Sequence, residues 1–269
     1  MSSGVTRERR GKVLVVTLDR PPANAINNAV SDDLYAAFRE LQDDPDLIVG
    51  IVTGGGERIF SAGWDLKEVA SASAEAGGFV DDTGERPGGF AGLTQFWDLY
   101  KPVIAAVNGY AIGGGFELAL ACDIILASDN AEFRLPEMQR GFLPDAGAIQ
   151  RLPRRIPYNV AMEMLFTGRS MAAAEAKQWG LVAEVLPQAD LMDRALALAD
   201  EVAEGAPLAL QALKEVMAKI ATLPLDEAMA VTRPGKSGLP IYERMSTSED
   251  YLEGPRAFAE KRKPVWKGR

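Results

Sequence analysis

The chain has no histidine and only one cysteine in 269 residues. The first absence removes Ser-His-Asp triads, Cys-His dyads, imidazole zinc sites and haem-histidine ligation together, because each needs an imidazole as base or ligand. The second leaves Cys122 without an intramolecular disulfide partner and excludes cysteine-rich metal centres, which suits a reducing compartment. Acid–base chemistry therefore falls to Asp, Glu, Lys, Tyr or Cys122. Positive charge is also in short supply: 29 Lys and Arg stand against 38 Asp and Glu, a formal net charge of −9. A nucleic-acid binder usually shows a basic face, so no nucleic-acid partner is expected. Uninterrupted apolar runs are missing as well. The longest, Pro102 to Ala127, is broken by Asn108, Glu117 and Asp123 and makes a poor membrane span. The N-terminal stretch through Lys12 is polar, without the apolar centre of a secretory leader. These absences together describe a soluble cytoplasmic protein with no membrane contact and no metal site.

What is present reads as an α/β core. Val13 to Leu18 is a short apolar, β-branched run ending at the turn-forming Asp19-Arg20-Pro21-Pro22, so it predicts a strand. Val30 to Leu41 places Leu34, Phe38 and Leu41 on one helical face. Leu47 to Thr53 reads as a second strand closed by three glycines, and Val103 to Val107 and Ile124 to Ala127 as two more. A glycine-rich turn and a helix from about Gly114 to Cys122 lie between the last two. This βαβ rhythm implies mainly parallel pairing. Leu191, Ala195, Leu198 and Val202, then Leu210, Leu213, Met217 and Ile220, recur at helical spacing, which makes the C-terminal region helical. Ala70 to Gly92, rich in Ser, Ala, Gly and Asp, reads as a mobile surface loop near a site.

Three segments could carry chemistry. Asn108 to Ala121 runs from a buried strand through Gly113-Gly114-Gly115 into an apolar helix. Glycines there let a ligand approach the backbone, and a helix N-terminus offers unpaired N–H groups to an oxyanion or a phosphate. A tight turn between helix and sheet would use the same glycines. Glu117 sits early on that helix among apolar residues. Burial would raise its pKa toward a catalytic range, though a first-turn glutamate also complements the helix dipole. Glu137 follows a strand in Leu135-Pro136-Glu137, and Ala62-Gly63 marks another strand-to-helix turn. Each of these is unremarkable by itself.

Taken together they resemble the crotonase (enoyl-CoA hydratase/isomerase) superfamily. The resemblance rests on Phe60-Ser-Ala-Gly-Trp-Asp-Leu-Lys67, on Lys101 to Tyr110 continuing through Gly113-Gly-Gly-Phe-Glu-Leu118, and on Leu135-Pro-Glu137 followed by Gly141-Phe-Leu-Pro-Asp-Ala-Gly147. Phe258-Ala-Glu-Lys-Arg262 also matches, so the likeness runs from about Val13 to the last residue. It implies a crotonase-like ββα spiral core over residues 1–190. It also implies a C-terminal helical region, 191–269, that serves trimerisation and coenzyme A contacts. The partner implied is an acyl-CoA substrate, with no separate cofactor because coenzyme A belongs to the substrate. The assembly implied is a homotrimer or a dimer of trimers.

By residue-for-residue match, the thioester carbonyl would sit between the backbone N–H groups of Ala62 and Gly114. Glu117 would orient and deprotonate water, and Glu137 would supply the α-proton. Retention of both acids favours a hydratase over a double-bond isomerase. Asn24, Ala25, Ile26, Asp65, Leu66 and Lys67 resemble the family's adenine and pantetheine contacts. Phe258 and Lys261 resemble its C-terminal pair. Lys261, Arg262, Lys263, Lys267 and Arg269 form a basic patch suited to phosphate, or to a solvated tail. Finer matches in Gly63 to Lys67, Gly88 to Thr94, Gly114 to Leu120 and the C-terminus point to a branch whose acyl group bears a trimethylammonium. Trp64, Phe90 and Asp145 are its candidate pocket residues, with Phe96, Trp97 and Tyr100 on the flanking segment. The run Asp145-Ala-Gly-Ala148 has Ala148 where related hydratases often carry a second glycine.

Overall fold

The large sheet has six strands in the order β1-β2-β3-β5-β7-β10, antiparallel between the first two and parallel thereafter. Its strands are β1 (Val5–Arg10), β2 (Val13–Leu18), β3 (Val49–Gly54), β5 (Val103–Val107), β7 (Ile124–Ser128) and β10 (Glu184–Leu186). The small sheet, in the order β4-β6-β8-β9, comprises β4 (Ile59–Ser61), β6 (Tyr110–Ile112), β8 (Glu132–Arg134) and β9 (Met171–Ala172). The computed structural model describes residues 4–68, 70–71 and 86–269.

Alternation along the strands sorts side chains between two cores. Helix α1 (Asn28–Asp43), capped by the Asn27 side chain accepting from Val30 N–H, and helix α2 (Gly114–Ala121) cover one face. There Leu14, Val16, Leu18, Val52, Ala105 and Val107 join Leu34, Phe38 and Phe116. On the other face Val13, Val15, Val49, Ile51, Ile104 and Ala106 meet Leu191, Ala195 and Ala199 of α6 (Leu191–Ala203). Burial on both faces is why the inner strands read as continuous apolar runs. Strand β1 was not visible in the sequence, because Val-Thr-Arg-Glu-Arg-Arg has no apolar stripe. It is an exposed edge strand, and its charges disfavour pairing with another chain.

The chain feeds the two sheets alternately: β3 then β4, β5 then β6, β7 then β8. Strands β4, β6 and β8 are parallel neighbours. Residues 62–65, 113–117 and 135–137, remote in sequence, therefore leave the same end of one small sheet side by side. This positions the site. Beyond β8, α3 (Ala148–Arg155), α4 (Tyr158–Thr167) and α5 (Ala173–Gln178) lead to α6. They are followed by α7 (Pro207–Ile220), α8 (Leu225–Val231), α9 (Pro240–Ser246) and α10 (Glu249–Ala259).

Most of the expected surface loop, at residues 72–85, lies outside the described residues. Its C-terminal end is not a surface segment. Phe90, Ala91 and Leu93 are buried against α1, and Ala91 N–H donates to Ser31 Oγ at 3.1 Å. The small and glycine residues that suggested a loop instead allow this close approach to the helix.

Candidate active site

The turn between β6 and α2 places Gly113 at φ 56, a left-handed conformation that side chains rarely adopt. A Cβ there would also come within 2.5 Å of Glu137 Oε1. Gly113 is thus what brings the Glu137 carboxyl against the helix start. Gly114 opens α2, where backbone N–H groups have no intrahelical acceptor and the dipole is positive. Gly63, at φ 80, lies on the facing turn, and a Cβ on it would stand 2.6 Å from Gly114 N. The expected donor pair was Ala62 and Gly114, but the structure directs the Ala62 amide elsewhere. Residues 23–26 run alongside 62–65: Ala62 N–H donates to Ala23 O at 3.0 Å, Ile26 N–H to Gly63 O at 2.8 Å and Asp65 N–H to Ile26 O at 2.9 Å. Gly63 N–H donates to Ser61 Oγ at 3.1 Å. The Trp64 nitrogen is the amide of this turn that lies against Gly114, 3.4 Å from where its Cβ would be.

Two buried carboxyls flank this turn. Glu117 is 3% exposed and accepts a hydrogen bond from Ala148 N–H at 3.0 Å. Burial pushes its pKa up to about 8; the Ala148 N–H opposes the rise, while the charges of Glu137 and Asp145 add to it. Glu137 is 6% exposed, and burial raises it to about 7. Its Oε2 is buried without a hydrogen-bond partner among the described residues. A buried carboxyl oxygen left unsatisfied is costly and needs a functional explanation. Both carboxyls are thus held toward their protonated forms by the same cause, burial. Cys122 drops out as an acid or base: it is fully buried, and burial pushes its thiol up to about 12.

A cleft of about 60 Å³ runs between the Trp64 turn, the start of α2 and Glu137, with Glu117 outside its lining. Its lining includes Ala62, Trp64, Gly114, Glu137, Arg140 and Phe142. The Trp64 and Phe142 rings meet edge to face at 6.5 Å and 86°. Phe90 packs its ring on Gly114, where a Cβ would approach it to 2.5 Å. Arg140, whose Nη1 donates to Pro136 O at 3.2 Å, lies beside Glu137 and offsets part of its pKa rise. Asp145 is exposed, and its charge acts on both glutamates.

The sequence profile described as enoyl-CoA hydratase/isomerase matches residues 8–269. The chain belongs to the enoyl-CoA hydratase/isomerase, or crotonase, family. It is 51% identical to proteins named carnitinyl-CoA dehydratase from Salmonella agona and Citrobacter koseri, over 269 residues covering all of both chains in each pair. Among solved structures, the enoyl-CoA hydratase of Mycobacterium tuberculosis H37Rv superposes with a TM-score of 0.87 at 39% identity, covering all of both chains. A probable enoyl-CoA hydratase/isomerase from Mycobacterium abscessus gives 0.85 at 41%, again with full coverage. The α/β architecture is thus the crotonase fold, and the chain is an enzyme of the hydro-lyase type. Among the described residues no helix is long and apolar enough to cross a membrane.

This crotonase uses several of the expected coenzyme A residues to build the turn itself. Asn24 is buried; its Nδ2 donates to Gly55 O and Ile59 O at 3.1 and 2.9 Å, and its Oδ1 accepts from Arg20 N–H. Ile26 is fully buried in the core, and Ala25 O accepts from Arg20 Nη1. Asp65 pairs with Arg20 at 2.7 Å, and hydrogen bonding with that guanidinium helps hold its carboxyl below the usual range against desolvation. Leu66 and Lys67 are exposed beside them. At the C-terminus, Phe258 is 88% exposed. The basic tail is largely tied down: Arg262 pairs with Glu253 and Glu260, and Lys267 and Arg269 with Glu249. Asp250 accepts from Lys267 N–H and Gly268 N–H at 2.7 and 2.8 Å. Lys261 is the cation of that patch for which no ion pair forms among the described residues. Sequence reasoning missed the Ala148 amide, Phe142 and Arg140. Of these only Ala148 carried a signal, the helix start after Gly147.

The raised carboxyls also carry a stability signature. An acid whose folded pKa exceeds its unfolded value favours folding while protonated, and that contribution is lost as pH rises through the folded pKa. For Glu117 the loss spans the interval from about 4.5 to about 8. Glu117→Gln mimics the protonated side chain. Thermal unfolding should therefore give it the wild-type Tm at pH 5 and a higher Tm than wild type at pH 9; equal Tm values at pH 9 would refute the buried-charge penalty.

Proposed function

We propose that the protein catalyses reversible dehydration of a 3-hydroxyacyl-CoA to a 2-enoyl-CoA, with carnitinyl-CoA and crotonobetainyl-CoA as the leading pair. The observation that carries this reading is a pair of buried carboxyls behind one turn: Glu137, whose Oε2 has no hydrogen-bond partner among the described residues and whose Oε1 lies against Gly113 at the start of α2, and Glu117, held by the Ala148 N–H. In dehydration the Glu137 carboxylate takes the α-proton and the electron pair moves onto the thioester oxygen. The amides of Gly114 and Trp64 hold that enolate charge. Collapse of the enolate expels the β-hydroxyl, which leaves as water with the proton of Glu117. Hydration is the reverse, with the acid and base roles exchanged. Burial raises both carboxyls, which favours a pair that keeps a proton for the departing hydroxyl near neutral pH.

The 51% identity to carnitinyl-CoA dehydratases and the Trp64–Phe142 pair support a trimethylammonium acyl group, since aromatic faces attract quaternary cations. Arg140 favours a second reading, because a guanidinium in the cleft opposes a cationic substrate and suits a neutral short-chain enoyl-CoA. Initial-rate assays of the wild type with crotonobetainyl-CoA and crotonyl-CoA, products read by mass spectrometry, separate the two. The leading reading expects preference for the cationic thioester, reduced about tenfold by Trp64→Ala. Equal rates on both, unchanged by Trp64→Ala, would leave the neutral substrate.

Coenzyme A contacts are assigned to Asn24–Ile26 and Asp65–Lys67 through their backbone and exposed atoms, and to Phe258 and Lys261. Exposed Leu213, Met217, Leu225, Met229, Leu252 and Phe258 on the C-terminal helices support a homotrimer or dimer of trimers. Light scattering checks this assembly, and a monomeric mass would overturn it.

A further inference from the structure

Arg151, on the first turn of α3, is a half-buried guanidinium that forms no ion pair among the described residues. Its Nη2 donates to Thr94 O at 2.6 Å, and its Nη1 sits over Gly147, where a Cβ would come within 1.9 Å. In the same helical turn, Ala148 N–H holds Glu117 Oε1. On the other side Thr94 Oγ donates to Phe90 O at 2.9 Å, and the Phe90 ring seats against Gly114. One guanidinium thus ties the turn that holds the acid–base carboxyl to the turn that backs the oxyanion donor. A partly desolvated cation that spends its donors on a backbone carbonyl rather than on a carboxylate loses hydration without gaining an ion pair, so packing alone explains its presence poorly.

We propose that Arg151 is a positioning residue that fixes Glu117 relative to Gly114 by clamping the start of α3 to the Phe90–Thr94 turn. This role rests on the hydratase reading above. The charged groups around the pair are few. Glu117 feels Glu137 and Asp145 as repulsive and Arg151 as attractive, while Arg151 feels Arg155 as repulsive and Glu117 and Cys122 as attractive. Arg151 also lines a cavity of about 160 Å³ outside the catalytic cleft, walled by Phe96, Trp97, Tyr100, Asp123 and Lys214. Trp97 is exposed at its edge, so a small cation can enter from solvent.

The experiment is Arg151→Ala in the full-length enzyme, assayed with and without methylguanidinium, beside Arg151→Lys. Arg151→Ala should lower kcat by about 10- to 100-fold through misplacement of Glu117, with KM changed less than about threefold. The limb of the pH–rate profile belonging to Glu117 should move up by about one unit once the attractive cation is gone. Methylguanidinium should restore both kcat and the limb. Arg151→Lys keeps the charge but not the fork, so it should hold the limb while kcat stays depressed. A folded Arg151→Ala with kcat within about twofold of wild type overturns the role. So does a loss that methylguanidinium does not relieve and that leaves the limb in place. If Arg151→Ala does not fold, wild-type kcat in Arg151→Lys overturns the clamp. A wild type inactive on every enoyl-CoA overturns the hydratase reading and this role together; an active wild type beside an indifferent Arg151→Ala overturns this role alone.

Discussion

Glu117→Gln is expected to lower kcat by about 10³-fold, within the range typical of a lost general acid–base group, while thioester affinity stays close to wild type. The amide is isosteric with the protonated carboxyl, and its oxygen can still accept from Ala148 N–H, so the local structure has no reason to change. What it cannot do is deliver a proton to the leaving hydroxyl and later take one from water. Glu137→Gln should fall comparably, because the amide can neither take nor return the α-proton that the mechanism gives to this carboxyl. The double variant should be little worse than either single one, since both act in one proton-transfer sequence. Steady-state kinetics together with titration of a non-reactive acyl-CoA analogue would separate turnover from binding. Retained turnover in both single variants would sink the two-carboxyl mechanism. Wild-type pH–rate limbs are expected from this pair, since burial raises both carboxyls and the chain offers no imidazole; each limb should vanish in the matching Gln variant.

Legibility in the sequence followed how local each feature is. Val103–Val107 and the Gly114 helix start were readable because apolar runs and glycine clusters are written in consecutive residues. Glu117 stood out as a charge inside an apolar helix, and burial in the structure supplies the reason. Glu137 did not stand out. Its environment comes from Gly113, more than twenty positions earlier, and is created only when β6 and β8 pair. The oxyanion turn shows the same limit more sharply. A motif match directs attention to Ala62, but the pairing of this turn with Ala23 and Ile26 decides which of its amides already have a backbone acceptor. Backbone donors carry no side-chain signature, so sequence identifies the turn and only the fold identifies the amide. Arg151 is a different case. It reads as one arginine among several in Gln150 to Arg155, and its partial burial and its reach to Thr94 are tertiary facts.

Gly63→Ala should remove most of the remaining catalysis without touching either carboxyl. At φ 80 the new Cβ would stand 2.6 Å from Gly114 N and 2.6 Å from Ile112 O, and both are backbone atoms that cannot rotate aside. Either the turn opens, separating the Trp64 and Gly114 amides, or the methyl covers the Gly114 N–H. Both outcomes remove one oxyanion donor, worth about 2.7–4 kcal/mol, or about 10²- to 10³-fold in kcat. A positive φ also strains any L side chain, so lost stability could imitate lost catalysis. Gly56→Ala separates the two effects: Gly56 has φ 78, nearly the same backbone conformation, with nothing within 4 Å of the added carbon. Thermal unfolding should show both variants destabilised, and kinetics below their Tm should show Gly56→Ala near wild type and Gly63→Ala severely impaired. Equal activity in the two would mean that the space beside Gly114 N is not where the thioester oxygen is held, and the oxyanion site would have to be sought on another turn of the cleft.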